Sequence, residues 1–265
     1  MPEGLEIELY RRAAEAALGR EIAAVVVPVA AFVRNGSATG LSDALVGRRF
    51  AQARRRGKLL LLDADDAEAV TTLGLRFGMT GRLIVDDDAI IEQLEYSSGR
   101  NDEAWDRLVV DFADGGSLRV RDQRRLGSAE LDPDEAELGV DLFDVTGGDL
   151  TRILGSSTRP LKARLMDQAQ IAGLGNLLTD EILWRASLDP ERPADSLGAA
   201  ERRRLLHHLG RTVRLLLDRG GSHMGDLQDE RHPDGRCPRD GALLRRCTVG
   251  GRTTYACPDH QRAQD

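Results

Sequence analysis

The chain has 265 residues, a net charge of −7 and a pI near 5.4. This length exceeds that of a typical single domain and predicts two or three domains with buried cores. The acidic balance argues against a nucleic-acid-binding protein as a first interpretation, because such proteins usually carry excess basic residues. No run approaches the roughly 18 apolar residues of a membrane span, and the start is acidic where a secretory signal would be basic. We therefore expect a cytoplasmic protein without membrane contact.

The amino-terminal half is predicted to be a helix followed by short strands. Residues 5–18 place apolar side chains at helical spacing. The β-like runs that follow are bounded by turn residues, which suggests a sandwich or barrel. These runs are 21–29, 58–63, 68–75, 81–85, 107–112 and 117–122. An acidic, proline-containing stretch near 130–148 is interpreted as a linker.

The carboxy-terminal half changes its pattern twice. From 149 to 221 the apolar residues recur at helical spacing. Beyond 221 the chain is glycine-rich, and this segment is too short to form a stable core without a cross-link such as a bound metal ion. The predicted fold class is α+β with several domains. They are an N-terminal helix with a β-sandwich at 1–130, a helical domain at 131–219 and a metal-binding β-hairpin at 220–265.

All three cysteines lie in the last 30 residues, which favours a local metal site over a disulfide framework. Two short knuckles, Cys237-x2-Asp240 and Cys257-x2-His260, flank a hairpin that turns at 250–251. Strand pairing across this turn brings the knuckles together. We expect one structural zinc ion, bound by Cys237, Asp240, Cys257 and His260.

Cys247 is not expected to be a zinc ligand. It would pair with Thr254, three positions up the strand and about 10 Å from Cys257. Asp240 is the weakest member of the predicted set. The alternative is that Asp240 is a solvated turn residue and that water or His232 completes the coordination sphere.

Segment 167–186 contains a break between two helical patterns. Gly173 and Gly175 interrupt the first helix, and Asn176 is placed to cap the second. The start of that helix would present free backbone N–H groups to an anion. An ordinary corner between two helices is the alternative interpretation.

Six motifs in this order resemble the formamidopyrimidine-DNA glycosylase and endonuclease VIII family of bacterial DNA repair enzymes. They are MPEG-x-E at the start, RRRGKLLLL (54–62), FGMTG (77–81), DQRRLG (122–127), DQAQIAGLGN (167–176) and VGGRTTYACP (249–258). The resemblance extends to Gln261 and implies a helix–two-turn–helix in the helical domain. It also implies a monomeric base-excision-repair glycosylase and abasic-site lyase that acts on damaged double-stranded DNA and associates with the nucleoid.

The resemblance implies that the amino terminus is catalytic. Removal of Met1, expected because Pro2 is small, would expose a secondary amine with a pKa of about 8. That amine attacks C1′ of a flipped-out damaged nucleotide and leaves an iminium, from which the strand phosphate is eliminated. Glu3 matches the acid–base residue. Lys58 matches the lysine that binds phosphate at the lesion.

Further positions are similar to the family's DNA contacts. Met79, Arg124 and Leu126 occupy the places of residues that fill the gap left by the flipped nucleotide. The remaining matched contacts are Asn176 at the helix–two-turn–helix, Arg252 at the hairpin tip and Lys162 in the helical domain. For Lys162 the alternative is a lysine on a helix surface without a special role.

The chain also departs from the family pattern. Asp240 and His260 replace two of the usual four cysteines, and Leu126 stands where the oxidised-purine branch often has an aromatic residue. Segment 220–237 is short for a loop that covers the flipped base, which suggests an open pocket. Two alternatives therefore stay open: a catalytically weak protein that binds lesions or abasic sites, and a glycosylase for bulky alkylated bases or crosslinks.

Overall fold

The computed structural model describes residues 2–65, 70–91, 94, 100–155 and 157–262. These residues form two compact units. The first runs to Glu135 and the second from Ala136, except that Glu3–Leu5 belongs to the second. The predicted domain bounds at 130/131 and 219/220 stay predictions. No helix of the described residues has the length and hydropathy needed to cross a bilayer.

The predicted amino-terminal helix is present as α1 (Gly4–Ala14). From its second turn it packs on the first unit through a buried tyrosine. Tyr10 donates a hydrogen bond to the backbone oxygen of Gly81 over 3.2 Å. Its ring centroid lies 4.7 Å from that of Phe77. The alternation of apolar and charged positions along α1 therefore fixes which face is buried.

The first unit contains two four-stranded antiparallel sheets, which confirms the predicted sandwich class. One sheet has the order β1-β6-β7-β5 and the other β2-β3-β4-β8. The strands are β1 (Ile22–Val26), β2 (Arg49–Arg56), β3 (Leu59–Asp65), β4 (Val70–Arg76), β5 (Arg82–Val85), β6 (Asp106–Phe112), β7 (Ser117–Arg121) and β8 (Ser128–Leu131). Of the predicted strand 68–75, residues 68–69 lie outside the described residues.

Three elements of the first unit were missed by the sequence prediction. Helix α2 covers Ala38–Leu45, and β8 begins before the stretch interpreted as a linker and runs into it. Strand β2 is itself an arginine-rich run, in which the alternation of apolar and polar residues is not evident. Its charges are offset by the neighbouring strand, because Arg54 pairs with Asp63 of β3.

The second unit is helical around one apolar core, as predicted. Its helices are α3 (Gly147–Gly155), α4 (Leu161–Leu165), α5 (Asn176–Ala186) and α6 (Ala199–Arg219). A short parallel pair joins β9 (Val140–Asp141) to β10 (Ile171–Ala172). Leucine and isoleucine side chains from all four helices and from Leu5 form the core.

The carboxy-terminal hairpin has the predicted register. Strands β11 (Arg245–Val249) and β12 (Arg252–Ala256) are antiparallel, and Val249 pairs with Arg252 across the turn. Cys247 pairs with Thr254, as expected from counting back from the turn. Gly250 and Gly251 both have positive φ, of 58° and 73°, a conformation that favours glycine.

Lys162 lies inside the second unit, which corrects its expected role as a DNA contact. Its side chain is fully buried and its Nζ lies 2.7 Å from Asp180 Oδ1. The same Nζ donates to Thr254 Oγ1 over 2.6 Å. Asp180 also pairs with Arg231. Burial lowers the pKa of the Lys162 ammonium, and the Asp180 carboxylate opposes that shift. Lys162 therefore joins α4, α5 and the hairpin rather than meeting a phosphate.

We expect Lys162→Ala to lower the free energy of unfolding by about 3 kcal/mol or more, because removing one partner of a buried ion pair leaves the other charge uncompensated. Arg246→Ala, at an exposed position of β11, is the matched control and should change stability by less than about 0.5 kcal/mol. Urea unfolding followed by circular dichroism measures both variants. Equal stability of the two variants would contradict the buried network.

Candidate functional site

Four side chains from the two predicted knuckles converge below the hairpin. One ligand atom from each of Cys237, Asp240, Cys257 and His260 lies within 4.8 Å of the others. His260 Nδ1 is 2.9 Å from Asp240 Oδ2 and 3.8 Å from Cys237 Sγ. Cys257 Sγ is 3.2 Å from Asp240 Oδ2. Two sulfurs, one imidazole nitrogen and one carboxylate form a donor set that could hold a metal ion.

Each sulfur of this cluster accepts a hydrogen bond from an N–H group. The indole N–H of Trp184 donates to Cys237 Sγ over 3.3 Å, and the backbone N–H of Asp259 donates to Cys257 Sγ over 3.4 Å. Such donors stabilise thiolates and orient metal ligands. The cysteines also lie within a small apolar core with Trp184, Leu244 and Tyr255. The four-residue cluster thus cross-links a carboxy-terminal segment whose own apolar core is small.

The two alternative ligands lie elsewhere. Cys247 is placed in the strand ladder opposite Thr254. Its burial and the nearby Glu191 carboxylate raise the pKa of its thiol. His232 Nε2 lies 4.0 Å from a carboxylate oxygen of Glu230. The candidate metal group found among the described residues includes neither side chain.

Glu3 caps the amino terminus of α5. Its carboxylate accepts a hydrogen bond from the backbone N–H of Leu177 over 2.8 Å and another from Leu178 over 3.1 Å. Glu3 is fully buried. Free N–H groups and the helix dipole both favour negative charge on the carboxylate at this position.

The glycines before α5 are required by this cap. A Cβ on Gly175 would lie 2.2 Å from Glu3 Cδ, so only glycine leaves room for the carboxylate. Gly4 N–H donates to the backbone oxygen of Gly173 over 2.9 Å, and Gly173 has a φ of 107°. The GLG sequence therefore shapes a socket for the amino-terminal residues.

This arrangement corrects the expected cap. Asn176 is the first residue of α5 rather than its N-cap, which is Gly175 without a side-chain hydrogen bond. The first helix expected before the break ends earlier, at Leu165. The side chain of Asn176 is partly exposed at the start of α5. Its predicted phosphate contact stays a prediction.

In the first unit, the FGMTG and DQRRLG motifs form one loop pair around a buried aspartate. The fully buried carboxylate of Asp122 accepts hydrogen bonds from the backbone of Leu126 over 2.7 Å and of Gly127 over 2.8 Å. The same carboxylate accepts a hydrogen bond from the hydroxyl of Thr80. Asp122 was not predicted from the sequence as a site residue, although an acid at the start of a turn-rich motif typically organises a turn.

The three predicted gap-filling residues lie on this loop pair. Arg124 Nη1 is 3.3 Å from Met79 Sδ, and Leu126 is 51% exposed. Leu126 also packs against Gly78, where a Cβ would approach its backbone to 2.5 Å. Its role in DNA stays a prediction.

Two further predicted residues lie at turns. Lys58 is half-buried in the turn between β2 and β3, next to Gly57 with a φ of 57°. Arg252 is exposed at the first position of β12, at the hairpin tip. Both positions present a cation on a short connection held by two strands.

Segment 220–237 is anchored by a second residue that sequence analysis missed. Glu181, buried on α5, accepts hydrogen bonds from the backbone N–H groups of Asp226 and Leu227 over 3.1 and 3.0 Å. Asp226 in turn pairs with Arg185 and Arg219. That segment 220–237 is too short to cover a flipped base and leaves the pocket open stays a prediction.

Comparisons with known proteins agree with these motifs. Residues 1–129 match the family model for the formamidopyrimidine-DNA glycosylase N-terminal domain, and residues 141–227 match its H2TH domain. A formamidopyrimidine-DNA glycosylase from a Nocardioides species is 34% identical, over 99% of this chain and 95% of that protein. One from Pelotomaculum thermopropionicum is 30% identical over the full length of both.

Solved structures show the same similarity. A Lactococcus lactis Fpg mutant in complex with Fapy-dG-containing DNA is 25% identical with a TM-score of 0.83, over 99% of this chain and all of that one. Lactococcus lactis Fpg with abasic-site DNA is 25% identical with a TM-score of 0.81, over 98% of this chain and all of that one. The chain therefore belongs to the formamidopyrimidine-DNA glycosylase family.

Proposed function

We propose that this protein is a DNA base-excision-repair glycosylase with abasic-site lyase activity on damaged double-stranded DNA. Family membership supports the reaction class, and the Lactococcus lactis relatives hold DNA that contains Fapy-dG, an oxidised pyrimidine or an abasic site. Because the proposed substrate is DNA, we expect the protein to associate with the nucleoid. The observation that carries the proposal is the buried carboxylate of Glu3, fixed on α5 one residue from Pro2.

The proposed reaction begins at Pro2 after removal of Met1. The neutral secondary amine attacks C1′, so that a nitrogen–carbon bond forms while the bond between C1′ and the damaged base breaks. The amine then loses its proton, and the sugar ring oxygen gains one as the ring opens to an iminium. Glu3 is suited to both transfers, because an ionised carboxylate accepts a proton before it donates one.

The iminium then acts as an electron sink for strand scission. The Glu3 carboxylate accepts a proton from C2′, and the electrons of that C–H bond let the bond between C3′ and the phosphate oxygen break, which releases the phosphate. Lys58 supplies a positive charge for the phosphate at the lesion. Asn176, with the start of α5, and Arg252 are proposed to contact further phosphates, whereas Met79, Arg124 and Leu126 replace the flipped nucleotide in the stack.

The metal in the proposed site is one structural zinc ion. Sulfur, nitrogen and carboxylate donors all fall within zinc's preference, and four protein ligands leave no open position for catalysis. Bound zinc would supply folding free energy to the tail. It would thereby hold the hairpin that carries Arg252.

Borohydride trapping tests the nucleophile. We expect the purified protein, incubated with duplexes that contain an abasic site, 8-oxoguanine, an oxidised pyrimidine or an alkylated purine, to form a covalent adduct with at least one of them. Peptide mapping should place the adduct on Pro2. Glu3→Gln should slow trapping by about 100-fold or more, the usual contribution of an acid–base group. Asp43→Ala, a surface change on α2, is the control.

The result that contradicts this assignment is an adduct on Lys58 or Lys162, or active protein whose intact mass retains Met1. Tight binding of abasic-site DNA without any trapped adduct or cleavage would instead favour a lesion-binding protein. Cleavage confined to the alkylated purine would favour the glycosylase for bulky bases.

Metal analysis of three purified variants tests the zinc site. Cys247→Ser should retain about one zinc per chain. Cys257→Ser should lose the zinc together with the DNA affinity that Arg252 contributes, because the tail has little else to fold around. Asp240→Ala should bind zinc more weakly, since water can take the fourth position. Zinc lost from Cys247→Ser but kept in Asp240→Ala would show that the fourth ligand is wrong.

The loop organised by Asp122 gives a further test. Asp122→Ala removes the acceptor that orders the backbone from Leu126 to Gly127, so we expect unfolding to become easier by about 2–3 kcal/mol. Affinity for a duplex with an abasic-site analogue should fall about tenfold at a temperature where the variant stays folded. Fluorescence anisotropy measures the affinity, with Asp43→Ala as control. Unchanged affinity would show that the loop ordered by Asp122 does not contribute to DNA binding.

A further inference from the structure

The side chain of Gln168 lies outside the residues to which the repair reaction is assigned, yet it is hydrogen-bonded to three backbone groups of the second unit. Its Nε2 donates to the backbone oxygen of Met166 over 2.7 Å and to that of Leu174 over 2.8 Å. Its Oε1 accepts from the backbone N–H of Gly173 over 3.0 Å. One half-buried amide therefore joins the residue that ends α4 to the two residues before Gly175.

A carboxamide is the group that fits these partners. Both hydrogens of Nε2 meet carbonyl oxygens, whereas Oε1 meets an N–H group. The amide cannot be turned around, because that would place its oxygen against two other oxygens. A carboxylate in the same place would oppose the same two carbonyl oxygens, and a thioether would fill the space without donating. The loop thus specifies the chemistry of the side chain at Gln168.

The peptide held by Gln168 is the one that leads into the Glu3 cap. The backbone oxygen of Leu174 and the nitrogen of Gly175 belong to one planar peptide. The hydrogen bond to Leu174 therefore sets the position of Gly175. A Cβ on Gly175 would lie 2.4 Å from Glu3 Oε1, so the backbone at this residue lies directly against the carboxylate. A shift of this peptide would displace the carboxylate.

Gln168 also acts on the chain segment that carries Glu3. The N–H of Gly173 donates to Gln168 Oε1, and the backbone oxygen of Gly173 accepts from the N–H of Gly4 over 2.9 Å. Gly173 has a φ of 107°, which residues with a side chain rarely adopt. Hydrogen bonds on both sides hold it in this conformation. Glu3, Gly4 and the loop all belong to the second unit.

We propose that Gln168 is a positioning residue for Glu3 in the glycosylase and lyase reaction. It fixes the loop from Gly173 to Gly175, and this loop keeps the Glu3 carboxylate against the first turn of α5. The inference rests on the proposed function, because the orientation of Glu3 affects the rate only if Glu3 transfers protons. Misplacing a reacting group by about 1 Å can lower a rate about 100-fold.

Borohydride trapping on an abasic-site duplex, with the DNA saturated by protein, tests the proposal. Gln168→Met keeps the length of the side chain but removes its hydrogen bonds, and it should slow trapping by about 10- to 100-fold. Affinity for a duplex with a non-cleavable abasic-site analogue should fall by less than about threefold, because the loss is in the chemical step. Gln170→Met is the matched control, since this half-buried side chain makes no hydrogen bond within the described part of the chain.

A double-mutant cycle separates positioning from a general loss of structure. If Gln168 acts through Glu3, adding Gln168→Met to Glu3→Gln should slow the residual trapping by less than about twofold, because coupled residues are not additive. Gln168→Glu adds a pH profile. Its trapping rate relative to that of the unmodified protein should rise as the pH falls, because the introduced carboxyl regains one donor when it is protonated.

Amide hydrogen exchange measures the Glu3 cap in the absence of any reaction. The backbone N–H groups of Leu177 and Leu178 donate to the Glu3 carboxylate. They should exchange at least about tenfold faster in Gln168→Met than in Gln170→Met, because a displaced carboxylate leaves them open to water.

Three results would overturn the inference. The first is equal trapping by Gln168→Met and Gln170→Met. The second is a further loss of about tenfold when Gln168→Met is added to Glu3→Gln, which would show that Gln168 acts independently of Glu3. The third is unchanged exchange at Leu177 and Leu178. Each of these leaves the proposed function intact, whereas the absence of any adduct with the unmodified protein would overturn both.

Discussion

The hydrogen bonds from the first turn of α5 to the Glu3 carboxylate are the constraint on which the candidate site depends. They require Gly175 to lack a side chain, because a Cβ there would overlap the carboxylate. They also require the chain at Gly4 to lie against Gly173, where a backbone hydrogen bond holds it. Leu5 then enters the core of the second unit. A chain terminus that would ordinarily fray is thereby fixed, and Pro2 is one covalent step from a buried charge.

Some carboxylates of this acidic chain lie inside the fold, which a sequence average conceals. Asp63, Asp122, Asp180 and Glu181 are at most 8% exposed. They pair with arginine or lysine, or accept hydrogen bonds from loop backbone. Such carboxylates act inside the fold and contribute little to the surface that a phosphate meets. An acidic pI is thus compatible with membership of a DNA glycosylase family, since exposed cations at turns such as Arg252 determine the local field.

Local patterns made part of the structure predictable. The hairpin register followed from a glycine pair and a strand period of two, and that register predicted that the four candidate metal-ligand side chains lie close together. Features that depend on distant partners were not predictable. The residues joined by the Glu3 cap are 174 apart in sequence, and the burial of Lys162 depends on Asp180 and Thr254. Strand β2 was hidden because its arginines obscure the apolar alternation.

The cap also constrains the order of proton transfers in the proposed reaction. A carboxylate that accepts two backbone hydrogen bonds at a helix start has to receive a proton before it can donate one, and those hydrogen bonds favour its return to the charged form. In the reaction, the proton available next to Glu3 is the one that the Pro2 amine loses after attack on C1′. The same proton is then the one that the opening sugar ring needs. Glu3 would act as a shuttle, and the helix start would return it to the ionised state after each transfer. A residue fixed by α5 can perform both steps without moving, because both its oxygens are already oriented by backbone donors.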